Sequence, residues 1–224
     1  MAGTLPELFQ MAVRRDPGRP FLTFYDDESG ERIELSYATT ANWVAKTSNL
    51  LVDELDLETG ETIGIALPPH WLGIVWALSA WSCHASLTSG QADLAVTGPD
   101  LGTRGKRETV ASALLPLGGR FREPLPDGVR DYGAEVYNHG DVFVPPDPPA
   151  AGSAAYDEHS HADLITAAAP IDRRVLSTAD LTRPEHVGTL VGLLEGGGSL
   201  VLCRNLDPDR LDRRVIDEKV EGMI

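Results

Sequence analysis

The sequence predicts an α/β fold, a mostly parallel sheet layered with helices, and three observations lead there. Strand-forming runs at residues 62–67, 94–97, 109–115, 174–177 and 199–203 alternate with helical stretches, the order that builds parallel sheets through crossover helices. Two of these runs, 62–67 and 199–203, have the character of strands covered on both faces. Between them, residues 70–83 carry Trp71, Leu72, Ile74, Val75, Trp76, Leu78 and Trp81 on all sides. A helix that is apolar all round must be buried all round, so layers are needed on more than one side of it. With 224 residues, 42% of them hydrophobic, the chain is long enough to bury a substantial core in one large domain or two small ones.

Taken in order, Thr4-Leu5-Pro6-Glu7 is a capping box with proline in the first turn, and Leu8, Phe9, Ala12 and Val13 follow at helical spacing. A helix to about Arg15 is expected. Residues 21–25 and 32–35 read as a hairpin turning at Ser29-Gly30. Ser36 then caps a helix with Tyr37, Ala41, Val44, Ala45, Leu51 and Leu55 on one side, ending before Gly60. After the apolar helix, Asp127 is expected to cap a short acidic helix through Val136. Residues 144–152 hold four of the 16 prolines and read as a stiff extended connector. This divides the chain into an N-terminal α/β subdomain with the hairpin (1–143), the connector (144–152) and a second α/β segment packing on the same core (153–224). In the last part, residues 160–169 read as a helix. A second box, Thr182 to Glu185, is expected to open a helix bearing Val187, Leu190, Val191 and Leu194. Gly196-Gly197-Gly198 stops that helix, and a final amphipathic helix spans about 207–220.

Nineteen Lys and Arg against 34 Asp and Glu give a net charge of −15. Such a field repels phosphate backbones and anionic lipid, and no basic patch longer than 104–107 offsets it, so nucleic-acid binding is excluded. No apolar run approaches the roughly 18 residues of a membrane span, and residues 1–5 lack the start of a secretory signal. Cys83 and Cys203 form neither a disulfide framework nor a CxxC pair. A cytoplasmic setting with both thiols reduced is the expectation, without membrane insertion.

Three stretches in order carry a family resemblance. Residues 5–35, with Leu35-Ser36-Tyr37 and the following helix, are one. Gly60-Glu61-Thr62-Ile63-Gly64-Ile65-Ala66-Leu67 with residues 70–80 is the second. Leu190 to Leu194, Gly196-Gly197-Gly198-Ser199-Leu200-Val201-Leu202 and the helix to Glu221 form the third. In this order they resemble the amino-terminal region of the adenylate-forming enzymes, the acyl-CoA synthetase and AMP-binding superfamily. The resemblance implies that family's N-terminal α/β subdomains. It also implies a Ser/Thr/Gly-rich phosphate loop ending in Pro-Lys, which this sequence lacks: residues 144–163 stand in its place, and no lysine occurs between Lys106 and Lys219. The chain also reaches Ile224 without the family's later motifs. A truncated, degenerate scaffold is the reading, and sixteen arginines against three lysines fit a GC-rich, actinobacterial-type source.

Other candidate sites reduce to structural readings. Gly102 to Lys106 has the glycines and lysine of a phosphate loop, but Arg107 follows where Ser or Thr is needed and a strand follows rather than a helix. Asp157-Glu158-His159-Ser160-His161 holds carboxylates and imidazoles, yet i, i+2 histidines point apart on a helix, so a polar helix start is expected rather than a metal site. Cys83 beside His84, and Cys203 beside Arg204, show no third orienting group. Trp43, Trp71, Trp76 and Trp81 read as core or interface before they read as pocket walls. No catalytic residue, metal ligand or cofactor is therefore assigned. The expectation is a non-catalytic acyl-CoA-synthetase-like protein acting through a protein partner, a homodimer or a bound ligand. The alternative is an AMP- or acyl-adenylate-binding, ligase-like subunit completed by a partner chain.

Overall fold

The computed structural model describes residues 2–224. α1 (Leu5–Arg15) begins with both halves of the expected box, Thr4 Oγ1 accepting from Glu7 N–H and the Glu7 carboxylate accepting from Thr4 N–H. β1 (Pro20–Asp26) and β2 (Glu31–Ser36) form the hairpin. Ser36 caps α2 (Tyr37–Asp53), which stops two residues short of Leu55. β3 (Thr62–Ala66) and α3 (Trp71–Ser82) follow, then β4 (Ser86–Leu87), β5 (Leu94–Thr97), β6 (Glu108–Ala111), β7 (Arg130–Asp131) and α4 (Tyr132–Glu135). The rest comprises β8 (Ala154–Tyr156), β9 (His159–Ser160), α5 (His161–Ala167), β10 (Arg174–Ser177), α6 (Val187–Gly196), β11 (Ser199–Arg204), α7 (Pro208–Asp217) and β12 (Gly222–Met223).

The strands divide between two sheets. One has the order β12-β10-β11-β1-β2, parallel except for the hairpin; the other has the order β7-β6-β5-β3-β4-β8-β9, parallel except for β8 with β9. Residues before and after 144–152 supply strands to both sheets, and one large apolar cluster runs through the whole. α3 explains its own composition. It packs on α1 and α2, on β1 of one sheet and on β3 and β4 of the other, so no face is left for polar residues. In the first sheet Leu200 and Leu202 face that core, while Val201 and Cys203 face the opposite side beneath α7, the two-residue period of a strand covered on both faces.

Several local expectations are corrected. Asp127 caps nothing: α4 starts at Tyr132, and Asp131 accepts from Gly133 N–H at its start. The Thr182–Glu185 box does not form, because Asp180 takes both the N–H and the hydroxyl of Thr182 (3.0 and 2.7 Å) and α6 begins only at Val187. The strand expected over 109–115 ends at Ala111, since the chain turns at Leu114 with φ +52°. The last helix ends at Asp217; Lys219, at φ +52°, redirects the chain into β12. The glycine run behaves as read. Gly197 ends α6 at φ +72°, and a Cβ at Gly196 or Gly198 would lie 2.2 to 2.4 Å from the Ile171 carbonyl oxygen, so close backbone approach demands glycine there.

Candidate functional site

Open α/β sheets bind ligands beyond the carboxyl ends of their strands. Here those ends meet around two adjoining cavities. One, of 670 Å³, is lined by the segments after β3 (Ala66, Leu67, Pro68), β5 (Gly98, Pro99, Asp100) and β6 (Ala113, Leu114), with Arg183 and Arg204. The other, of 580 Å³, is lined by Pro68, Pro69, Glu28, Thr178 and residues 203–206 at the end of β11. Pro68 and Arg204 belong to both walls. A larger cleft of 820 Å³ lies among residues 115–134.

Arg204 is held where β1 and β11 end side by side. Its Nη2 lies 2.8 Å from Asp26 Oδ2, and Asp26 also accepts from Ser29 Oγ (2.6 Å) and Asn205 Nδ2 (2.8 Å). Burial pushes the Asp26 carboxyl up, but these hydrogen bonds and the guanidinium outweigh it and hold it at about 2. Arg204 Nε has no partner among the described residues, and Arg183 sits 3.0 Å from Asp180 while remaining half exposed. A chain of net charge −15 thus presents two guanidiniums, and no lysine, at its strand-end cavities.

Next to this centre, His70 caps α3 by accepting from Leu72 N–H at Nδ1 (3.2 Å), which leaves Nε2 to carry the proton, buried and without a partner among the described residues. Its ring packs against Phe24 with centroids 4.6 Å apart and the planes inclined at 59°. Burial, reinforced by Arg204, drives its pKa down to about 3, so the imidazole is neutral at pH 7. Glu31 is half-buried, and this desolvation pushes its carboxyl up.

The residues singled out from the sequence disperse. Lys106 pairs with Asp93 at 3.3 Å on an exposed loop that enters β6. Asp157 closes the β8–β9 turn and accepts from Thr88 and Ser89, while Ser160 caps α5 in a box with Asp163. His161 is buried beside them and accepts from Leu5 N–H (3.3 Å), with its pKa lowered by burial to about 4. Among the described residues no three metal-ligating side chains converge. Cys83 ends α3 with its thiol pushed up by burial to about 12, and Cys203 is likewise raised by burial. Trp71, Trp76 and Trp81 are fully buried, and Trp81 Nε1 donates to Ala155 O. His70, buried at the start of an apolar helix, and Arg204, read from sequence only as a neighbour of Cys203, had no spacing signal to mark them.

A protein of Mycobacterium tuberculosis described as "TIGR03089 family protein" is 39% identical over 230 residues, covering 95% of this chain and 94% of that protein. The chain belongs to the TIGR03089 family. No protein-family model matches it. Its fold is that of acyl-CoA synthetase N-terminal regions. An acyl-CoA synthetase of Brucella canis matches with a TM-score of 0.76 at 15% identity over 96% of this chain. The N-terminal domain of FACL13 from Mycobacterium tuberculosis matches at 0.75 and 9% over 99%. Coronafacic acid ligase of Pectobacterium brasiliense matches at 0.76 and 11% over 98%. This TIGR03089 chain spans 46%, 62% and 49% of those three chains. Among its described residues no helix is long and apolar enough to cross a membrane.

Proposed function

We propose that this TIGR03089 protein is an acyl-CoA-synthetase-like binding protein that holds an anionic adenylate-type ligand at the strand-end cavities without activating it. The observation that carries the reading is the placement of Arg204 and Arg183 in a cavity built from the ends of both sheets. Two guanidiniums there offer a phosphate or carboxylate planar donors. Adenylation asks for more, a clamp that offsets the charge developing on the transferred phosphate. The absence of lysine from this lining and of the phosphate-loop pattern from residues 144–163 supports binding without that chemistry.

The test is a thermal-melting series with AMP, ATP, CoA and an acyl-sulfamoyl adenosine. At about 100-fold excess over Kd, binding contributes about 2.7 kcal/mol, which for a chain of this size raises Tm by roughly 5–10 °C. Arg183→Ala should abolish the shift while leaving the Tm of the free protein nearly unchanged. No shift with any of the four removes the proposal.

A second reading, a ligase-like subunit completed by a partner chain or a second copy, rests on the share of the matched synthetases that the chain spans, 46% for the Brucella protein. Under that reading AMP-forming activity appears only in the mixture, and light scattering shows a mass above that of one chain.

A further inference from the structure

A separate cluster lies at the far end of α3. His84, two residues beyond that helix, has φ +58°, a left-handed conformation uncommon for a residue with a side chain. Its backbone is fixed on both sides, the N–H donating to Trp81 O and the carbonyl accepting from Gly60 N–H (2.9 Å). The imidazole bridges two residues of the 144–153 region. Nδ1 lies 3.1 Å from Asp147 Oδ2, and Nε2 lies 2.9 Å from Ser153 Oγ.

Asp147 Oδ2 also accepts from Thr59 Oγ1 (3.0 Å). Ser153 is anchored through its N–H to Ala150 O (3.0 Å) and its carbonyl to His161 N–H (3.1 Å), while its hydroxyl oxygen accepts from Ala150 N–H (3.1 Å). The His84 side chain is 19% exposed and Ser153 is half-buried, so the hydroxyl is held yet reachable. Ala151, two residues away, forms part of the wall of a 410 Å³ cleft with Leu8, Met11, Ile165 and Leu194.

The connectivity is that of base-assisted nucleophilic attack: a carboxylate on Nδ1 sets the tautomer that leaves Nε2 free to accept the serine proton. We propose that Ser153, His84 and Asp147 form an acyl-transfer site for esters with a short apolar acyl chain, distinct from the strand-end cavities. Ser153 Oγ bonds to the acyl carbon as its proton passes to His84 Nε2. The carbon–oxygen bond to the alcohol then breaks, and the alcohol leaves with that proton. Water attacks the acyl carbon and gives one proton to His84, the bond from that carbon to Ser153 Oγ breaks to release the carboxylic acid, and His84 returns the proton to Ser153 Oγ. Asp147 is a positioning residue, since it acts on the serine through the imidazole.

The same contacts would also serve to tie residues 144–153 to the end of α3, and the experiment separates the two roles. The full chain is treated with a fluorophosphonate and, separately, with p-nitrophenyl butyrate, and adducts are located by peptide mass spectrometry. The expected result is an adduct on the peptide carrying Ser153 and saturable ester hydrolysis. Ser153→Ala and His84→Asn should each lower kcat by about 100-fold, the scale of general-base assistance. Asp147→Asn should lower kcat by less and leave KM unchanged. If Ser153→Ala does not fold, Ser153→Cys keeps an acceptor for Ala150 N–H and should lose the fluorophosphonate adduct. No adduct at Ser153, or hydrolysis unchanged in these variants, overturns the proposal.

Discussion

α3 and α7 are held against sheets by opposite means. Every residue of α3 from Trp71 to Trp81 is buried, and its contacts with both sheets are apolar apart from the hydrogen bond of Trp81 Nε1 to Ala155 O of β8. In α7, Arg214 is the buried residue, and Ile216 is 75% exposed. α7 rests Leu211 and Val215 on a small patch of Leu176, Val201 and Cys203, and polar contacts fix its position. Arg214 lies 2.6 Å from Asp27 Oδ1 with its guanidinium 4.1 Å over the Tyr25 ring, and Glu218 beyond the helix pairs with Arg174 and Arg32. Apolar burial tolerates changes in charge state, whereas an ion-paired dock depends on every partner staying ionised. The difference predicts where each helix fails.

The largest effect should come from emptying the α3 side. Trp76 is fully buried and packs on Tyr132 with ring centroids 5.0 Å apart, so Trp76→Ala should cost about 3–5 kcal/mol in denaturant unfolding. A cost under about 1 kcal/mol would show that α3 is not the centre of the core. Next comes Arg214→Ala, which leaves Asp27, 5% exposed, without its main partner and should cost about 3 kcal/mol. Here hydrogen exchange should quicken in α7 and β12 well before it does in α1 to α3; uniform acceleration would mean that α7 is not a separable unit.

The smallest effect per step is set by pH. His70 and His161 have pKa values near 3 and 4 in the fold against 6.5 unfolded, so the unfolded chain binds protons first. Their contribution is complete above pH 6.5 and is lost as pH falls below it, at about 1.4 kcal/mol per pH unit for each histidine. Hydrogen bonds from Arg214 hold Asp27 below the usual carboxylate range, so the α7 dock persists until pH drops below about 4. Unfolding titrated from pH 7.5 to 4.5 should therefore track the two histidines, and His70→Gln should flatten part of that slope. A profile flat to pH 4.5 would contradict the burial of both rings.

Much of the fold was legible because its signals are local. The capping box at Thr4, the hairpin turn, the all-round apolarity of α3 and the glycine stop after α6 each depend on residues a few positions apart. Two local signals misled. Thr182 had the right neighbours for a cap, but Asp180 captured it, and Asp127 lost its expected role to Asp131. Little of either candidate site was legible. Arg204 acquires its setting from Asp26, 178 positions away, and His84 meets Asp147 and Ser153 across 63 and 69 positions. The ordinary readings of Gly102–Lys106 and of Ser160 as a helix start needed only adjacent residues.

The sequence by itself determined the alternation of helices and strands, the core helix and the acidic character, because these follow from side-chain pattern and count. Tertiary structure alone decided the two- and three-residue strands β4, β7, β8, β9 and β12, the division into two sheets, the neutrality of His70 and His161 and the groups that surround Arg204 and Ser153. Strands so short lack enough residues to show a period and form only where a neighbouring segment brought close by the fold offers its edge. A buried ring or a convergent cluster depends on which distant segments fold over it, and neighbours in the chain do not encode that.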